Sequence, residues 1–193
     1  MIELHTERLV LRPLVQADLD DLCEYHSHSE AVRFVPWSVR SREEVKEALQ
    51  NYERCSSALE SAQDSLILGW SLKSTQKIIG QSNMALVSQA NHTSDLGWIT
   101  HPEYWRQGYA LEAGIAMLWL AFRSFGLHRV IANIDQRNLG SARLAERMGM
   151  RCEGIFRQSS WTKGEWCDMW LYAILRDEFL ATPHLKCPHL VEC

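Results

Sequence analysis

The spacing of apolar residues along the chain changes period several times, and each change marks an element. Thr6 to Leu14 reads as a first strand, since Leu9, Val10 and Leu11 suit an extended backbone and Pro13 stops the ladder. Asp18 is placed to cap a helix through about His26, and Ser41 followed by Glu44 is a capping box that opens a helix toward Leu59. Between them Ser29 to Arg40, with Phe34, Pro36 and Trp37, follows no period. Three strand segments come next, Ser65 to Leu72, Lys77 to Val87 and Ser94 to Thr100, parted by polar turns in the manner of an antiparallel meander. From Tyr109 to Phe125 the chain is apolar nearly all round, as a helix buried against a sheet would be, and Gly126 ends it.

His128 to Ile134 is a further strand, and Ser141 to Met148 a helix with Gly149 as its left-handed terminator. Met150 to Ser159 and Glu165 to Leu175 complete the strands. Residues 181–193 carry Pro183 and Pro188 and no periodic pattern, which is how a tail reads. The expectation is one α/β domain over residues 1–180, with a sheet that mixes parallel and antiparallel pairs, and a C-terminal tail over 181–193.

Composition narrows the function classes. At 193 residues and 46% hydrophobic, one core suffices without a metal or disulfides to staple it. The six cysteines include no Cys-x-x-Cys pair, so they read as free thiols of a reduced, cytoplasmic compartment. A net charge of -4 with no basic stripe argues against nucleic acid as a partner, and no apolar run is long enough to span a membrane. The acidic residues from Asp18 to Glu60 are read as the wet face of helices.

Candidate chemistry concentrates at Asp95-Leu96-Gly97-Trp98-Ile99-Thr100-His101, followed by a short turn and a helix that opens at Gly108. The first amides of such a helix lack intrahelical partners and its dipole puts partial positive charge there, so an anion can bind without a lysine. Gly108 and Ala110 keep the approach open, although Gly108 would equally ease a tight turn. Neither Gly-x-Gly-x-x-Gly nor Gly-x-x-x-x-Gly-Lys-Ser/Thr occurs, which weakens a dinucleotide or nucleoside-triphosphate reading.

The chain resembles the GNAT superfamily of N-acetyltransferases, and within it the branch of ribosomal-protein N-terminal acetyltransferases called Rim enzymes. The resemblance runs from about Thr6 to Arg176. It is carried by Thr6-Glu7-Arg8-Leu9-Val10-Leu11-Arg12-Pro13, Leu96-Gly97-Trp98-Ile99, Tyr104 to Ala113, Asn138-Leu139-Gly140-Ser141 and Glu146-Arg147-Met148-Gly149-Met150. Trp105 departs from the usual first position of the Gln/Arg-x-x-Gly-x-Gly/Ala motif, and Arg106 stands where a small residue is common. Arg106 either adds a phosphate contact or points into solvent.

The resemblance implies a mostly antiparallel mixed sheet with one splayed strand pair and flanking helices. Acetyl-coenzyme A would be the cosubstrate, with no metal, and its pantetheine arm would lie in the splay. Arg106, Gln107, Gly108, Tyr109 and Ala110 would hold the pyrophosphate, and main-chain groups of Ile99 and His101 would pair with the arm. Asn138 and Ser141 would reach the cofactor from the next helix start, where both also serve as ordinary capping residues.

The implied reaction moves an acetyl group directly to a primary amine, through a tetrahedral intermediate. Asp95 is the leading general base, unless it is simply an exposed residue after the preceding turn, and His101 is a weaker choice. Ser141 is the candidate to protonate the departing thiolate, with Tyr109 and Tyr172 as alternatives. An amide near Ile99 would meet the oxyanion. Trp37 is the favoured acceptor-pocket residue among the tryptophans. The acceptor would be a protein N-terminal amine or a small polyamine or antibiotic, and a homodimer fits the superfamily. The competing expectation is a non-catalytic module that binds acyl-coenzyme A.

Overall fold

A computed structural model describes residues 2–55, 59 and 64–182. In chain order the elements are β1 (Leu4–His5), β2 (Leu9–Arg12), α1 (Leu19–His26), α2 (Arg42–Arg54), β3 (Ser65–Leu72), β4 (Ile78–Ser88) and β5 (Thr93–Thr100). There follow α3 (Tyr109–Trp119), β6 (Arg129–Asp135), α4 (Leu139–Arg147), β7 (Arg151–Thr162), β8 (Glu165–Leu175) and α5 (Arg176–Ala181). The eight strands form one sheet in the order β1-β2-β3-β4-β5-β6-β8-β7, in which only β5 and β6 are parallel.

Local signals explain most of these boundaries. Ser41 Oγ accepts the Glu44 amide while Glu44 accepts the Ser41 amide at 2.7 Å, which closes the capping box of α2. That helix stops at Arg54; the stretch through which it was expected to reach Leu59 includes residues 56–58, outside the described residues. The strand expected over Thr6 to Leu14 is the shorter β2, and β1 precedes it, pairing antiparallel with it across a turn in which the Thr6 amide donates to the Leu9 carbonyl at 2.9 Å. Asp18 does not cap α1. It ends a short 3-10 turn and points its carboxylate back at the Val15 amide and the Arg12 guanidinium, each at 2.8 Å. The long apolar helix runs as α3 and then loosens into a π-helical turn over Leu120–Ser124. The tail expected from residue 181 begins inside α5 at Ala181, and residues 183–193 lie outside the described residues.

Both faces of the sheet centre are covered, so β3 is buried almost throughout. On one face Leu66, Leu68 and Trp70 pack with Met117 and Leu118 of α3; on the other Ile67, Ile78 and Ile99 pack with Leu22 of α1 and Leu49 of α2. This sandwich fixes β5 rigidly along its β4 edge. Its other edge behaves differently: β5 pairs with β6 at Thr93–Arg129, Ser94–Val130 and Asp95–Ile131, and beyond Asp95 the two strands part. Among the described residues, no helix is long and apolar enough to cross a membrane.

Candidate active site

The parting of β5 and β6 leaves a cleft of about 950 Å³ between strands, α3 and α4. Strand phase decides which groups of β5 face it. The His101 amide donates to the Ile79 carbonyl at 2.8 Å, so His101, Ile99 and Gly97 direct their main-chain groups to β4. The alternate residues Leu96, Trp98 and Thr100 turn theirs toward the gap. Thr100 spends its carbonyl on the Trp105 indole N–H at 2.8 Å. Ile99 and His101, expected to pair with the pantetheine arm through the main chain, are therefore committed elsewhere, and the His101 carbonyl also accepts the Tyr104 amide at 3.0 Å. Trp98 and Leu96 supply the free strand edge, which suits a chain bearing amides. By the same phase, the strand amides near Ile99 that face the gap are those of Trp98 and Thr100.

At the open end of the cleft the backbone turns twice through positive φ, at Arg106 (+60°) and Gly108 (+86°), before α3 begins. Such alternation gathers successive amides into a concave anion site, and the unpartnered first-turn amides of α3 extend it. Arg106, Gly108 and Ala110 line the cleft. Gln107 and Tyr109 face away: the Gln107 side chain donates to the Glu103 carbonyl at 2.7 Å, and the Tyr109 ring lies edge-on to Tyr104 and under Arg8. Across the gap Asn138 caps α4 by accepting the Ser141 amide at 3.1 Å. Ser141 Oγ accepts the Trp98 indole N–H at 3.2 Å, so its own proton stays available to another acceptor.

A strand gap flanked by an amide-lined turn and a capped helix start fits a long ligand with an anionic head and an amide-bearing arm. The family profile described as an acetyltransferase (GNAT) domain matches residues 8–151. The chain belongs to the GNAT acetyltransferase family. It is similar to the N-acetyltransferase YnaD of Bacillus subtilis (strain 168), a protein itself uncharacterized, at 32% identity over 90% of this chain and 97% of that one. A GNAT-family acetyltransferase from Bacillus anthracis superposes with a TM-score of 0.79 at 28% identity, covering 91% of this chain and 99% of the other. A GCN5-related N-acetyltransferase from Brucella melitensis gives 0.81 at 25% identity, covering 93% and 80%. The protein is thus an acetyl-coenzyme A-dependent N-acetyltransferase, and the pantetheine and pyrophosphate of its cosubstrate have the chemistry that the gap and the turn accept.

Asp95, Gly97 and Ile99 share one sheet face with their cross-strand partners Ala85, Asn83 and Gln81, and all six line the cleft. A Cβ on Gly97 would meet nothing within 4 Å, so the floor is open there. Asp95 is half-buried rather than a solvated turn residue, and Oδ2 accepts from Asn133 Nδ2 at 2.8 Å. Burial pushes its carboxyl above the usual range although that bond opposes the rise. At the far wall Gln81 Oε1 accepts from the Tyr25 hydroxyl at 2.9 Å and from His26 Nε2 at 3.1 Å, so what Gln81 has to offer the cleft is its NH₂. Trp37 lines the same end, stacked on His26 at 5.6 Å and beneath Arg40 at 4.5 Å. Its indole N–H is buried with no partner among the described residues.

Two alternatives considered from sequence are occupied elsewhere. His101 is buried, with Nδ1 accepting the Glu103 amide at 3.2 Å and Nε2 against Glu24 at 3.1 Å. Tyr172 donates to Glu146 at 3.2 Å, and burial first, then that bond, pushes its hydroxyl up to about 12. Gln81, His26 and Asn133 were not anticipated: each is a polar residue among others in its element or strand, with no local signal that a buried or cross-strand bond awaits it.

Proposed function

We propose that this acetyltransferase moves the acetyl group directly onto a primary amine, through a tetrahedral intermediate, with Asp95 as general base and Ser141 as the proton source for the thiolate. The observation that carries the proposal is the parting of β5 from β6 just beyond Asp95, which leaves that carboxylate at the apex of the cleft with Ser141 on the facing helix start. Arg106, Gly108, Ala110 and Asn138 line the cosubstrate side, with Gln107, Tyr109 and His101 shaping the turn from behind. Trp37 and Gln81 form the acceptor wall.

The acceptor we favour is a protein N-terminal amine, in keeping with the Rim-type sequence signature. Charge supports this over a polyamine. Away from the cosubstrate turn, Glu30 and Asp95 line the cleft beside Arg33, which lies 3.9 Å from Glu30, and Asp135 is already paired with Arg137 at 2.6 Å. Arg40 lies over Trp37, and Lys163 donates to the carbonyls of Val32 and Arg33 at the same end. A polycation would meet net repulsion there, whereas one ammonium next to a carbonyl finds Asp95 for the amine and N–H donors for the oxygen. A small amine such as an antibiotic remains the second acceptor class. Residues 1–180 acting as one cytoplasmic catalytic domain complete the proposal. A homodimer belongs to it as well, since edge strand β7 leaves Ile155, Phe156 and Trp161 exposed.

The test is thermal stability with and without acetyl-coenzyme A, then thiol release with peptides, polyamines and aminoglycosides as acceptors. At a hundredfold excess over Kd the cosubstrate should add about 2.7 kcal/mol of stability. Turnover confined to peptide acceptors is the expected outcome; turnover with polyamines alone overturns the acceptor assignment, and a thermal shift without turnover on any amine points to a binding module.

A further inference from the structure

The N-terminal run Thr6-Glu7-Arg8 is spent on the start of α3, 100 residues further along the chain. Glu112, in the first turn of α3, accepts the Thr6 hydroxyl at 2.5 Å and the Arg8 amide at 2.7 Å with one oxygen, and Arg8 Nε at 2.7 Å with the other. Burial alone would raise the Glu112 carboxyl, yet these donors bring it below its usual value, so it stays ionised as the anchor for Arg8. From that anchor the guanidinium lies 4.2 Å over the Tyr109 ring and donates through Nη1 to the Gln107 carbonyl at 3.0 Å. Nη2 sits 3.3 Å from where a Cβ on Gly108 would be.

The peptide between Gln107 and Gly108 is what gives this contact its consequence. In a trans peptide the C=O and N–H point in opposite directions. Arg8 draws the Gln107 carbonyl to the side away from the cleft, which turns the Gly108 N–H toward the cleft that Gly108 lines. A peptide flipped the other way would put a carbonyl oxygen against an incoming phosphate. The conformation needs such a clamp, because Arg106 at φ +60° is a non-glycine residue in a sparsely populated region.

We propose that Arg8, anchored by Glu112, is a positioning residue for the cosubstrate: it locks the Arg106–Ala110 turn with its amides facing the pyrophosphate. Arg8 thereby controls recognition of the nucleotide half of acetyl-coenzyme A and not of the acyl-pantetheine half. The inference rests on the placement of the pyrophosphate at that turn.

The experiment compares two acetyl donors, acetyl-coenzyme A and S-acetylpantetheine, which lacks the nucleotide. In Arg8→Ala the ratio of kcat/KM for the first donor over the second should fall about tenfold or more, the scale of losing a hydrogen bond from a charged group, with the loss in KM. Glu112→Gln should lower the same ratio by a smaller factor. A general loss of fold would depress both donors equally and leave the ratio unchanged, so an unchanged ratio overturns the role of Arg8 whether or not total activity drops. Gly108→Ala tests the turn separately, since φ of +86° disfavours any side chain there. If Gly108→Ala lowers the ratio and Arg8→Ala does not, only the Arg8 assignment fails. If neither variant moves it, the pyrophosphate does not sit at this turn and both assignments fall.

Discussion

Acidification should unfold this protein partly through one buried histidine behind Gln81. His26 is fully buried, and burial, aided by the Arg40 charge, brings its pKa from 6.5 to about 4 although the bond to Gln81 opposes the change. Its Nδ1 faces Arg40 Nη1 at 3.3 Å and its Nε2 faces Gln81 Oε1 at 3.1 Å, an arrangement that needs the neutral ring protonated on Nε2. A proton added at Nδ1 would abut the guanidinium. With the folded pKa below the unfolded one, the unfolded chain binds the extra proton, so the stabilisation is present above about 6.5 and is lost as pH falls toward 4. Linkage between those two values predicts a loss of about 2 kcal/mol from pH 7 to pH 5, out of about 3 kcal/mol in all. Urea denaturation of the wild type and His26→Gln at both pH values isolates this contribution, because other titrating groups are common to the pair. The stability gap between them should shrink by about 2 kcal/mol on acidification. Parallel pH profiles, or a His26 ring resonance titrating near 6.5 in the folded protein, would refute the reasoning.

Three further outcomes concern the reaction. Asp95→Asn should lower kcat by about 10²–10⁴-fold and abolish an acid limb that, in the wild type, lies above the ordinary carboxylate range because burial favours the protonated form; an unchanged rate and pH profile in thiol-release assays would remove Asp95 as base. Ser141→Ala should reduce kcat with little change in the acetyl-coenzyme A dissociation constant, and a loss confined to cosubstrate affinity would make Ser141 a binding residue only. Gly97→Val places a side chain in open space on the acceptor floor, so the melting temperature should hold while KM for the amine rises about tenfold or more. An unaltered acceptor KM would mean that the amine does not cross Gly97.

The helix ends were legible in the sequence because their signals are local. Gly108 before an apolar helix, Asn138 three residues before Ser141, and Gly149 after Met148 each satisfy a backbone need within one turn of chain, and the structure places all three as helix-end residues. Asp18 was misread by the same local logic, since its stronger partner Arg12 lies outside the helix window. At the far end of the cleft only Trp37 was anticipated, and its companions were opaque for a different reason. His26, Trp37 and Gln81 come from a helix end, an irregular loop and a strand interior, and only the docking of α1 and the loop against β4 brings them together. The one-residue error on β5 is of a third kind. Side-chain alternation reveals which residues share a face, but the direction of the main-chain groups depends on the register with β4, and that was set by the His101 to Ile79 bond.

With the proposed placement of donor and acceptor, that register also separates the two substrates physically. Along β5 the side chains of Asp95 and Ile99, with the bare Cα of Gly97 between them, form the proposed acceptor face while their main-chain groups are tied to β4. Leu96 and Trp98 do the converse, packing their side chains toward α3 and α4 and leaving the main chain to the gap. A main-chain edge reads any amide-bearing arm alike, whatever side chains flank it, so the donor site tolerates substitution along the strand. The acceptor site has no such protection, because every contact it makes on β5 is a side chain or the lack of one. Changes at positions 95, 97 and 99 should therefore move acceptor choice and leave donor affinity in place, whereas a residue that shifts the β4–β5 register would lose both at once.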